Sequence, residues 1–125
     1  MILHVLHVDD ESDIREVAAL ALEMDPDVNV RSAASGGEAL GVLESNTQID
    51  VILLDVMMPE LDGPGTLERL RTIPARADTP VIFMTARAQS HELERFLGLG
   101  ALAVILKPFD PMTLGQQIRD HLASA

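Results

Sequence analysis

The chain has no cysteine, no tryptophan and no tyrosine, and its only aromatic residues are Phe83, Phe96 and Phe109. Without cysteine, disulfides, thiolate metal sites and thiol catalysis are excluded, and the fold requires no oxidising compartment. An aromatic content of 2% argues against a stacking platform for single-stranded nucleic acid. Cations are scarce as well. Nine Lys and Arg face twenty Asp and Glu, for a formal net charge of −11, which disfavours contact with phosphate backbones and anionic membranes. Eight of the nine are arginines, and Lys107 is the single lysine. No apolar run reaches the roughly 18 residues of a membrane helix. The opening stretch MILHVLHVDDE lacks a basic region and turns acidic where a cleavage site would lie, so no secretory signal is expected. These absences point to a cytoplasmic protein with no nucleic-acid partner and no membrane partner.

What is present is a chain of 125 residues, 47% apolar, expected to form one domain over residues 1–125 and to bury roughly 70% of its unfolded surface. No linker, repeat or low-complexity tract interrupts it. Short apolar runs at Leu3–Val8, Val28–Ala33, Val51–Leu54, Val81–Met84 and Ala101–Leu106 read as strands. Segments with helical spacing lie between them. Ile14, Val17, Ala18 and Ala21 mark the first, and Ala39, Leu40 and Leu43 the second, opened by Ser35 and Glu38 in a capping-box pattern. Leu67 and Leu70 mark the third, with Pro64 in its first turn. Leu93, Phe96 and Leu97 mark the fourth, stopped by Gly98 and Gly100. Leu114, Ile118 and Leu122 mark the fifth. This alternation predicts an α/β fold, a doubly wound five-stranded parallel sheet with five helices and strand order 2-1-3-4-5.

In such a sheet, ligands bind beyond the C-terminal ends of the strands. The first run is followed by Asp9 and Asp10, the third by Asp55, the fourth by Thr85, and the fifth by Lys107 and Pro108. Strands one and three are neighbours in this order, so three carboxylates cluster at one edge with a hydroxyl and an ammonium beside them. Two carboxylates about 5 Å apart repel by roughly 3 kcal/mol at an effective dielectric near 20, equivalent to about two pKa units. Either one of the three is protonated or a cation neutralises them, and Lys107 supplies one charge. With oxygen-only ligands, Mg²⁺ is the natural candidate. A metal, a lysine, a hydroxyl and a carboxylate form a phosphoryl-handling set in which Asp55 attacks phosphorus to give an acyl phosphate.

Each residue taken alone has a plainer explanation. Asp10 or Ser12 would cap the first helix. Asp55, Asp62-Gly63 and Thr85 would be turn or cap chemistry, and Lys107 a solvated surface group. His4, His7, His91 and His121 have no ligand spacing and are expected to be structural or solvated. The conjunction at one sheet edge decides against the plainer explanations for the strand-end set.

The segments VDDE at 8–11, LLDVMMPELDG at 53–63, MTA at 84–86 and KPF at 107–109 make the whole chain resemble the CheY-like receiver domain of two-component response regulators, on the flavodoxin-like fold. The resemblance implies that Asp55 is the phosphoacceptor for a histidine kinase or histidine phosphotransfer protein. It implies that Asp9, Asp10, Asp55 and the Met57 carbonyl hold Mg²⁺, that Lys107 pairs with the phosphoryl group, and that Lys107–Pro108 is cis. Thr85 would move toward the phosphoryl oxygen, and Met57 and Arg87 would line the site entrance. The protein would be a phosphoacceptor that assists its own chemistry rather than an enzyme. It would act on an unknown downstream protein as a monomer or a phosphorylation-linked dimer.

Val104 departs from the family pattern, which places there an aromatic ring that swings inward on activation. Arg87, His91, Arg95 and Ala101–Val104 are candidate contacts on the adjacent face. An apolar Met57 cannot orient an attacking water, so a long-lived acyl phosphate is expected. The rival readings are a phosphorylation-independent scaffold on the same fold, a haloacid-dehalogenase-type phosphatase and a flavin carrier. The phosphatase would place a second aspartate at position 57. The carrier would need aromatic flanks and a hydroxyl-rich phosphate loop.

Overall fold

The computed structural model describes residues 1–87 and 89–125. Five parallel strands, β1 (Leu3–Val8), β2 (Val28–Ala33), β3 (Val51–Asp55), β4 (Val81–Thr85) and β5 (Ala103–Leu106), form one sheet in the order β2-β1-β3-β4-β5. The helices are α1 (Ser12–Glu23), α2 (Gly36–Glu44), α3 (Gly63–Leu70), α4 (Ser90–Gly98) and α5 (Leu114–Ala123). The expected doubly wound fold and strand order are therefore the observed ones. Among the described residues no helix is long and apolar enough to cross a membrane.

Successive strand residues point to opposite faces, so each unbroken apolar run feeds two cores. Val5, Val51, Leu53, Ile82 and Met84 pack with Ala18 and Leu22 of α1 and with Leu114 and Ile118 of α5. Leu6, Ile52, Leu54, Val81 and Phe83 pack on the other face with Ala39, Leu43, Leu67, Leu70 and Phe96 from α2, α3 and α4. Each such side chain contributes roughly 1.5–3 kcal/mol on burial, which is why β3 and β4 carry no polar residue before their last position.

Local rules end the helices. Ser35 Oγ accepts the Glu38 N–H, and Glu38 Oε2 returns a bond to the Ala34 N–H, a capping box displaced by one residue. Asp62, expected as part of a simple turn, is the N-cap of α3 and accepts the Gly65 N–H at 2.8 Å. At the end of α4, Gly100 adopts φ +104°. Its N–H reaches Leu97 O, and the Ala101 N–H reaches Phe96 O, the paired bonds of a Schellman motif. Those bonds use Ala101, so β5 begins at Ala103 rather than at Ala101.

The exit of α2 is held by a buried arginine. Arg76, in a single 3-10 turn at Pro74–Arg76, is 7% exposed. Its Nε donates to Leu43 O at 3.0 Å, and its Nη2 to Ser45 O at 3.3 Å and Thr47 O at 2.6 Å. Its charge sits where the α2 dipole is negative and carbonyls lack helical partners. We expect Arg76→Ala to lower stability by about 2–3 kcal/mol, with Arg76→Lys recovering part of the loss. Urea unfolding checks this, and a midpoint unchanged in the alanine variant would contradict it.

Candidate functional site

Asp9 follows β1, with its N–H donating to Ala33 O at 3.1 Å. Its carboxylate is fully buried; Oδ1 accepts the Glu11 N–H at 2.9 Å and Oδ2 accepts Lys107 Nζ at 2.8 Å. Arg15, which sequence reasoning passed over, donates Nη1 to Asp9 O at 2.8 Å. Asp10 is exposed beside it. Neither Asp10 nor Ser12 caps α1, whose N-cap is Glu11 without a side-chain bond.

Asp55 is the last residue of β3, 4% exposed, with Oδ1 3.0 Å from Lys107 Nζ. One ammonium therefore bridges two buried carboxylates. One oxygen from each of Asp9, Asp10 and Asp55 lies within 4.8 Å of the others. An all-oxygen set at this spacing suits a hard divalent cation. Lys107 is positioned by its own backbone, whose N–H donates to Thr85 O at 2.8 Å. The Lys107–Pro108 peptide bond is cis.

The electrostatics follow from the burial. Burial raises the Asp55 carboxyl above the usual carboxylate range; the Lys107 hydrogen bond opposes this, while the Asp9 and Asp10 charges add to it. For Lys107, burial pulls the ammonium down, but the hydrogen bonds and charges of Asp9 and Asp55 outweigh it and the net shift is upward. The two directions agree physically: the cation is shared between two carboxylates, which holds its proton, while Asp55 is left only partly compensated.

The loop after β3 closes tightly over Asp55. Val56 N–H reaches across to Met84 O, and Gly63 N–H returns to Val56 O at 2.9 Å. A Cβ on Gly63 would lie 2.6 Å from Asp55 O, so only glycine fits. Glu60 reverses the chain at φ 68°, with Leu61 N–H bonded to Pro59 O. Met57, within this loop, is 78% exposed.

Thr85 ends β4, buried, and its Oγ1 accepts the Arg87 N–H at 3.2 Å. Two clefts flank the acidic cluster. On the α1 side, Ile14, Val17, Ala86, Lys107, Pro108 and Phe109 line an apolar cleft of about 300 Å³. On the α4 side, Met57, Thr85, Arg87, Glu92, Arg95 and Phe96 line one of about 390 Å³. Val104 is half-buried, paired in register with Phe83 and packed in the core that holds Phe96. Of the stretch Ala101–Val104, Ala101 and Ala103 are buried and present little surface.

Sequence reasoning did not foresee that His7, on β1, is fully buried with neither ring nitrogen hydrogen-bonded. Strand alternation was the available sign, since His7 shares the parity of buried Val5. Burial pushes its imidazole from 6.5 down to about 4, the Asp9 charge opposing and the Lys107 and Arg15 charges adding. The unfolded chain therefore takes up this proton first as pH falls. Above pH 6.5 this proton linkage costs no stability, and its destabilising contribution grows down to about pH 4, reaching about 3 kcal/mol. We expect the stability difference between His7→Leu and wild type to widen in favour of the variant across that window. A difference independent of pH in urea titrations would contradict this.

Compared with known proteins, residues 5–119 match the response regulator receiver domain family. Response regulator SaeR of Staphylococcus epidermidis is 37% identical over 120 residues, covering 96% of this chain and 50% of that protein. The chain spans about half the length of the curated relatives it matches. Among solved structures, chemotaxis response regulator CheY4 of Vibrio cholerae superposes with a TM-score of 0.88 at 30% identity, covering 97% of this chain and 99% of that one. A CheY-like receiver domain protein of Methanospirillum hungatei gives 0.84 at 29% identity, covering 99% and 96%.

Proposed function

The chain belongs to the response regulator receiver family, and from that membership and the geometry of its acidic edge we propose that it is a phosphorylation-activated switch of a two-component phosphorelay. The observation that carries this reading is the Lys107 ammonium, 2.8 Å from Asp9 and 3.0 Å from Asp55, with Asp10 completing the carboxylate cluster. Asp55 is the acceptor. Its carboxylate oxygen attacks the phosphorus of a phosphohistidine on a histidine kinase or histidine phosphotransfer protein. The P–N bond breaks with its electron pair returning to the imidazole, which leaves neutral because its other nitrogen carries a proton. The product is an acyl phosphate on Asp55.

Asp9, Asp10, Asp55 and the Met57 carbonyl would hold Mg²⁺, whose charge offsets the carboxylates and the phosphoryl oxygens. Lys107 exchanges its bond to Asp55 for one to a phosphoryl oxygen while Asp9 keeps hold of it. The Thr85 hydroxyl turns from the Arg87 N–H to donate to another oxygen and draws the β4–α4 loop with it. Val104 supplies no ring for this motion to move, so the signal passes through the loop and α4 to an unknown downstream protein, with the chain a monomer or a phosphorylation-linked dimer in the cytoplasm.

Incubation with a small acyl-phosphate donor should add one phosphoryl group in the presence of Mg²⁺ and none to Asp55→Asn, read by intact mass. A Mg²⁺-dependent adduct that persists in the variant would exclude Asp55 as the acceptor. Met57 is exposed and apolar beside the acceptor, with no group to orient a hydrolytic water. Met57→Asn should therefore speed loss of the phosphoryl group by roughly tenfold. An unchanged decay rate would remove Met57 as the cause of a long lifetime.

A further inference from the structure

With no cysteine, tryptophan or tyrosine, the chain carries its readily oxidised groups as six methionine thioethers. Burial divides them. Met58 and Met84 are 8% and 0% exposed, shielded in the two cores. Met1, Met24, Met57 and Met112 are exposed. Met1 is the first residue, Met24 is the C-cap of α1, and Met112 precedes α5. Among the described residues, Met57 alone of these four lines the cleft that also holds Thr85. It stands two residues after Asp55, in the loop that returns from Gly63 N–H to Val56 O. An oxidant in solvent therefore meets the Met57 sulfur, while its neighbour Met58 is covered.

Val56 and Met57 form the part of this cleft nearest to the acceptor in the chain. A thioether is a weak hydrogen-bond acceptor, so that wall holds water poorly. A sulfoxide puts a polar oxygen in its place. We propose that Met57 is a redox modification site: hydrogen peroxide converts its thioether to a sulfoxide, and the new oxygen shortens the life of a phosphoryl group on Asp55. This rests on the receiver reading and adds regulation of the same site. In the first step one oxygen atom passes from the peroxide to sulfur, the O–O bond breaks and water leaves; sulfur is oxidised and the peroxide reduced. In the second, the sulfoxide oxygen accepts a hydrogen bond from a water and orients it toward phosphorus. The water oxygen bonds to phosphorus, the P–O bond to Asp55 breaks, and the electron pair stays on the carboxylate. Both protons of the water leave with the inorganic phosphate.

The experiment treats wild type and Met57→Leu with graded hydrogen peroxide, then phosphorylates treated and untreated samples with acetyl phosphate and Mg²⁺. Decay of the adduct is followed by intact mass after the donor is removed, and peptide mapping locates the added oxygen. Met57 should oxidise at least about tenfold faster than Met58 and Met84. Oxidation should speed the decay in wild type by roughly fivefold, and a methionine sulfoxide reductase should restore the original rate. Treated Met57→Leu should decay at its own untreated rate. The urea midpoint of treated wild type should fall no further than that of treated Met57→Leu. Oxidation of Met57 no faster than that of Met58, a decay rate unchanged or slowed, an equal acceleration in Met57→Leu, or a larger fall in the wild-type midpoint would overturn the redox site. None of these would touch the receiver reading, because the untreated protein still takes up its phosphoryl group. No adduct on untreated wild type would overturn both.

Discussion

A single ammonium held between two buried carboxylates organises the functional edge of this molecule. Lys107 lies 2.8 Å from Asp9 and 3.0 Å from Asp55, and those three residues stand at the ends of β5, β1 and β3. The bridge ties together three strands that share no local sequence. Each carboxylate would otherwise be buried close to like charge, at a cost that grows as the dielectric falls. Because the cation is shared, Asp55 remains partly uncompensated, and burial still lifts its carboxyl. That residual imbalance suits a cluster able to take up a further cation.

The surroundings hold this arrangement from both sides of the sheet. Gly63 allows the loop after β3 to close on the Asp55 backbone, and the Lys107 backbone is bonded to Thr85 O. The flanking clefts differ in chemistry, apolar toward α1 and cationic toward α4. Phe96 links the cationic cleft to the core, since its ring contacts Phe83 below and Arg95 above.

Much of the architecture was legible because it is written at short range. The five apolar runs identified the strands within two residues at either end, and Leu67, Leu70, Leu114 and Ile118 identified helix faces that are buried. The late start of β5 was missed because the Schellman bonds that close α4 occupy Ala101. Asp62 was read as part of a turn because a single Asp-Gly pair does not distinguish a turn from an N-cap; the Pro64 that follows was the better guide. The gathering of Asp9, Asp10, Asp55, Thr85 and Lys107 at one edge could be anticipated, because parallel strands deliver whatever follows them to the same side.

What the sequence determined by itself was the alternation of strands and helices, the two-faced character of the sheet and the polar residue at each strand end. Backbone periodicity and capping act over three to five residues and leave their mark in neighbouring positions. Only the tertiary structure decided that Lys107 bridges Asp9 and Asp55, that His7 is buried without partners, that Arg76 closes α2, and that Arg95 lines the cleft beside Thr85 while Arg119 is paired. Those outcomes depend on distances between side chains from separate elements, set by how helices pack on the sheet. The same residue types would read identically in the chain whether they met or not.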